Sequence, residues 1–146
     1  MPKKPAPPKL ELVTPLARFT FDPLLEEWLG SVALSPREPV EVTLPDGPHE
    51  VLVANLAGLG KALGNLRAQL APIKGAVAAK IHRADGVAWK IPSAKALERA
   101  LRVRSVRAKE DGSASVFFDR LPMLGGHAIA FAPSRAARTS DVHITG

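Results

Sequence analysis

The chain contains no cysteine. This excludes disulfide staples, thiolate nucleophiles and cysteine-ligated zinc or iron–sulfur centres, and it fits a reducing compartment. Tyrosine is also missing and aromatic residues make up only 5% of the chain, so a platform on which successive bases stack is poorly supplied. No run reaches the roughly 18 apolar residues of a membrane span, and the most leucine-rich stretch is interrupted by Lys61, Asn65 and Arg67. The basic, proline-rich start MPKKPAPPK has no apolar segment behind it, so the expectation is a cytoplasmic protein without a secretory signal. Acidic residues become scarce in one place. Between positions 61 and 109 only Asp85 and Glu98 stand against twelve lysines and arginines.

What is present describes a globular chain. With 146 residues, 46% hydrophobic and 23% charged, there is enough apolar surface for one core and too much for wholesale disorder. The formal charge of +6 is unevenly spread. Residues 10–60 carry two arginines against eight acids, and the basic block follows directly. Such segregation is a stronger signal than the total, and it points to a phosphate-bearing partner or to charge pairing within the fold.

In chain order, residues 1–9 read as a disordered, basic, proline-rich tail, residues 10–133 as a single α+β domain, and residues 134–146 as a flexible C-terminal tail. Leu10 to Phe21 reads as an edge strand interrupted at Pro15. Asp22-Pro23 looks like a helix start, with Glu26 and Glu27 in its first turn, Trp28 and Leu29 on its apolar stripe and Gly30 at its end. Val40 to Leu44 alternates, Pro45-Asp46-Gly47-Pro48 turns, and His49 to Val53 returns as a hairpin. A helix over 55–71 ends at Pro72. Val77 to Ile81 and Val87 to Ile91 alternate about Asp85-Gly86 as a second hairpin. A second longer helix, capped by Ser93, carries Leu97 and Leu101 inward. Arg104 to Lys109 and Ser115 to Arg120 flank a third turn at Asp111-Gly112, and His127 to Ala132 is a last strand. The expected architecture is therefore antiparallel hairpins with two longer helices and one short helix packed on the sheet. Two ββα cycles of about 40 residues suggest an internal duplication.

The stretch from Glu50 to Ala71 admits two readings. Gly58, Gly60 and Gly64 follow an apolar run, and G-x-G-x-x-x-G resembles the glycine fingerprint of dinucleotide-binding folds, which implies a pyrophosphate at a helix N-terminus. The third glycine falls one position late, however, and Asp-Gly hairpins on either side do not supply the parallel strands that such a site needs. The other reading accounts for more residues. Leu56, Leu59, Leu63, Leu66 and Leu70 fall on one face of a helix and form a core seam, with Gly60 and Gly64 leaving room for a backbone to approach.

No catalytic constellation stands out. His49, His82, His127 and His143 lack the spacing of a helical metal site, apart from His82 with Asp85 across a turn, and Glu26-Glu27 and Glu110-Asp111 read as a helix first turn and a hairpin tip. No metal and no cofactor is expected, and the chain reads as non-enzymatic. The basic block supplies the candidate site: Lys80, Arg83 and Lys90 on the second hairpin, Lys95, Arg99 and Arg102 on the next helix, and Arg104 and Arg107 on the strand after it. Cations so spaced suit a DNA backbone, where each replaces a condensed counterion. The alternative is a protein-interaction module (an inhibitor, adaptor or assembly component) acting through the acidic first third or through self-association of helix 55–71.

Overall fold

The computed structural model describes residues 10–109, 113–132 and 141–145. They form an α+β fold, a mostly antiparallel eight-stranded sheet with two helices on one face. The strands follow one another in spatial order: β1 (Glu11–Val13), β2 (Arg18–Asp22), β3 (Glu27–Ser35), β4 (Glu38–Pro45), β5 (Val103–Ala108), β6 (Ala114–Phe118), β7 (Ala128–Ala132) and β8 (Asp141–Thr145). All neighbours pair antiparallel except β4 and β5, which run parallel with Val42 opposite Val106. A parallel pair needs a crossover. Here it consists of α1 (His49–Asp85) and α2 (Ala94–Ala100), so two four-stranded meanders are joined at the sheet centre beneath the helices.

Strand alternation sorts the side chains between the two faces. Val40, Val42 and Leu44 of β4 point toward the helices in register with Val32, Gly30 and Trp28 of β3. Val106, Val116, Phe118, Ile129 and Phe131 continue that apolar layer across the second meander. Gly30 is needed for a steric reason: a Cβ there would lie 3.1 Å from both the Arg18 carbonyl oxygen and the Phe19 ring.

α1 seals the layer with a stripe that persists along its whole length. Asn55, Leu59, Leu63, Leu66, Ile73, Val77, Ala78 and Ile81 are buried, and Leu56 and Leu70 pack at its margin. The leucine seam expected from the sequence therefore forms the core. At about 1.5–3 kcal/mol per buried leucine it is a principal source of stability.

Several local expectations are overturned. No helix forms from Asp22 to Gly30: residues 23–26 are the β2–β3 turn, and Glu27 to Gly30 already belong to β3. Asp22 Oδ1 accepts hydrogen bonds from the Leu24 and Leu25 amides at 2.9 and 3.3 Å, as a helix cap would, but Glu26 at φ 53° reverses the chain. Trp28 then joins β3, where its ring packs 5.0 Å from Phe21. His49 to Val53 does not return as a strand but opens α1, with the Leu52 amide bonded to the Pro48 carbonyl. Pro72 does not stop the helix. Gln69 adopts φ −129° and ψ 30°, a kink one residue after Ala68, whose carbonyl the proline ring would strike in a straight helix, and α1 resumes.

The second hairpin is absent as well, since Val77 to Ile81 is helical and Val87, expected in the core, is 96% exposed. Without it the ββα cycle does not repeat. Two longer helices become one long and one short, and the only other helical element among the described residues is a 3-10 turn at Pro122–Leu124. Residues 141–145, assigned to a tail, form β8 paired with β7. The tail 1–9 and the turn at Asp111-Gly112 lie outside the described residues.

Asp85-Gly86 is the end of a helix and not a hairpin tip. The Ile91 amide bonds to the Gly86 carbonyl and the Lys90 amide to the Val87 carbonyl, with Lys90 left-handed at φ 53°. This is the Schellman pattern of helix termination, with lysine in the position usually taken by glycine, at a cost of about 1 kcal/mol. Gly86 itself is right-handed, and a Cβ there would come within 2.3 Å of the His82 carbonyl oxygen.

Candidate nucleic-acid interface

The basic block enters the structure as residues 61–85 of α1, the connection to α2, α2 itself and β5. Ser93 caps α2 as expected, its Oγ accepting from the Ala96 amide at 3.0 Å. Leu97 is buried and anchors the short helix. α2 lies close against α1 at Gly75, where a Cβ would stand 2.9 Å from Glu98 Oε1. Lys80 and Arg83 therefore sit one turn apart on α1, and Lys95 and Arg99 one turn apart on the helix packed against it.

The eight candidate residues do not share one environment. Arg83, Lys90, Arg99 and Arg104 are exposed, and their side chains make no hydrogen bond or ion pair among the described residues. Lys80 is half-buried on α1 and not on a strand. Lys95 pairs with Glu98 at 3.5 Å, an exposed i,i+3 pair of small energetic weight. Arg102 donates to the Arg99 and Leu101 carbonyl oxygens at 3.1 and 2.9 Å, satisfying acceptors that the end of α2 leaves open. Arg104 stands at the β5 bulge, where the register with β6 shifts between Val103 and Ser105.

Arg107 lies on the face away from the helices, in register with Thr43 and Ser115, and reaches across β4 to an ion pair with Glu27 of β3. The structure thus places Lys80 and Arg83 on α1, Lys90 in the connection that follows it, Lys95 and Arg99 on α2 and Arg102 just beyond α2, and sends Arg107 to the face of the sheet away from the helices.

The sequence did not single out Lys74. It is buried, and its Nζ donates to Glu38 Oε1 at 2.6 Å, with both side chains 11% exposed. Glu38 Oε2 in turn accepts from the Val103 amide at 3.4 Å, so one carboxylate joins the β3–β4 turn, α1 and the start of β5. Arg67 behaves similarly, holding the Ala33 carbonyl oxygen with Nε at 3.3 Å and Nη2 at 3.2 Å. Glu38–Lys74 and Glu27–Arg107 each join the acidic segment to the basic block. Part of the charge segregation is therefore used within the fold.

The glycine-rich stretch forms no phosphate loop. Gly58, Gly60 and Gly64 lie inside α1, and a Cβ at Gly60 or Gly64 would have nothing within 4 Å. No other backbone of the described chain approaches Gly60 or Gly64. Among the described residues no group of three His, Cys, Asp or Glu is placed to hold a metal ion, and no helix is long and apolar enough to cross a membrane. No family model, curated protein or solved structure matches this chain.

Proposed function

We propose that this is a non-enzymatic nucleic-acid-binding protein that contacts the backbone of duplex DNA through its helical layer. The observation that carries the reading is the pair Arg83 and Arg99, on helices packed together, with guanidinium groups unpaired among the described residues. Lys90 and Lys95 extend the same layer, and guanidinium and ammonium groups so exposed suit phosphate oxygens. Duplex is favoured over single strand because no aromatic side chain is exposed: Phe19, Phe118 and Phe131 are buried in the core, and Phe21, Trp28, Trp89 and Phe117 are partly buried.

Fluorescence anisotropy with a labelled duplex, repeated over a salt series, tests the reading. Affinity should fall steeply with salt, and Arg83→Gln with Arg99→Gln should lower the slope of log K against log salt by about 2. A flat salt response, absence of binding at low salt, or a double variant indistinguishable from the parent would each refute it.

A second reading rests on the exposed side of α1. Gly60, Gly64 and the half-exposed Val53 leave a shallow helical face that no element of the described chain covers, a surface suited to self-association or to a protein partner. Light scattering on concentrated protein is the test, and a strictly monomeric mass counts against self-association.

A further inference from the structure

A pocket of about 420 Å³ opens between the end of α1 and the edge strand β8, lined by Asp85, Trp89, His127 and residues 142–145. It lies within the size range of small-molecule sites. Its floor is apolar, with Val142 and Ile144 on the helix-facing side of β8 in register with Phe131 and Ile129. Its polar groups are unusual for this chain. Asp85 occupies the last turn of α1, where the negative end of the helix dipole disfavours a carboxylate. It is half-buried, and no hydrogen bond or ion pair to its side chain occurs among the described residues. In a chain of net charge +6, a carboxylate in such a place without a counter-ion is an exception that asks for a partner.

His127 and Trp89 also offer negative character to the pocket, whose lining is completed on the polar side by His143 and Thr145. His127 Nδ1 lies 3.0 Å from the Thr145 carbonyl oxygen. A carbonyl only accepts, so Nδ1 carries the proton and Nε2 of the neutral ring keeps a lone pair. Trp89 meets His127 edge to face, with ring centroids 5.3 Å apart and planes at 65°, which holds the indole in the pocket lining. An indole face carries the negative part of the ring quadrupole and is the best of the aromatic surfaces for a cation.

From this conjunction we infer that the pocket binds a small organic cation, an amine with an apolar body, its ammonium group on Asp85 and Trp89 and its body on Val142 and Ile144. The site uses residues other than the proposed DNA contacts, with Arg83 and Lys90 as its sequence neighbours.

Benzylammonium is a suitable probe, with benzyl alcohol as its neutral counterpart and benzoate as its anionic one. In amide and indole proton–nitrogen correlation spectra, with the Trp89 indole signal assigned through a Trp28→Phe variant, benzylammonium should shift Trp89 saturably with Kd about 1 mM. Benzyl alcohol should bind about tenfold more weakly, and benzoate should not bind at all. Asp85→Asn, nearly isosteric, should weaken benzylammonium by about tenfold while the spectrum stays native. Should that variant lose its native spectrum, Trp89→Phe carries the test, with an expected loss of about threefold. The inference is overturned if benzyl alcohol binds as well as the cation, if the folded variants keep parental affinity, or if no saturable shift appears up to about 10 mM.

Discussion

Replacing Lys74 with methionine is expected to destabilise the protein by about 3–5 kcal/mol, because it leaves the Glu38 carboxylate buried and uncompensated. That is a large fraction of the roughly 5–15 kcal/mol by which domains are stable at all. In urea denaturation the midpoint should fall with the slope unchanged, the mark of lost stability without a change in compactness. Adding Glu38→Gln to Lys74→Met should restore at least half of the loss. The amide removes the stranded charge, and its side-chain oxygen still accepts from the Val103 amide, which the second carboxylate oxygen now holds at 3.4 Å. A cost below about 1 kcal/mol for Lys74→Met would mean the pair is effectively solvated, and the link it makes between the β3–β4 turn and α1 would lose its energetic meaning.

The second large effect distinguishes the two readings of the glycine–leucine stretch. Leu63 is fully buried on the sheet-facing side of α1, and Leu63→Ala should cost about 2–5 kcal/mol through lost transfer energy and the cavity left behind. Gly64 is the next residue, exposed on the outer side, with open space where a Cβ would be. Gly64→Ala should therefore stabilise by about 1 kcal/mol, since alanine favours the helix and restricts the unfolded chain. Thermal and chemical denaturation of the two variants gives the contrast directly. Were the glycines present for close backbone approach within this chain, Gly64→Ala would destabilise.

The leucine seam was legible because five leucines at alternating steps of three and four satisfy a helix and nothing else. Ser93 as an N-cap and the alternation of Val40, Val42 and Leu44 were equally local and equally readable. The region from Val77 to Ile91 was not. Val77, Ala79 and Ile81 alternate over five residues, but Val77 and Ile81 are also one helical turn apart, and Ala78 is as buried as either. With small alanines between the larger residues, periods of 2 and 3.6 cannot be told apart over so short a window. Asp85-Gly86 added to the confusion, since the same dipeptide serves a hairpin tip and the end of a helix. Pro72 misled for a related reason. Its steric conflict is local, but whether the helix stops or bends depends on what packs beyond it, and Ile73, Lys74 and Val77 all find partners.

The candidate site followed the same division. That residues 61–109 are strongly basic is a property of the sequence, as is the spacing of Lys95 and Arg99 one turn apart on a capped helix. Which cations remain exposed was decided elsewhere. The crossover through α1 and α2 lays β5 parallel to β4, so Lys74 meets a glutamate 36 positions earlier and Arg107 one 80 positions earlier. By itself the sequence determined the α+β class, the helix that fills the core and the two blocks of opposite charge, because these rest on periodicity and composition. Only the tertiary structure decided which charges neutralise one another, because Coulomb attraction depends on distance in space and the chain supplies that distance only once the sheet has closed around its central parallel pair.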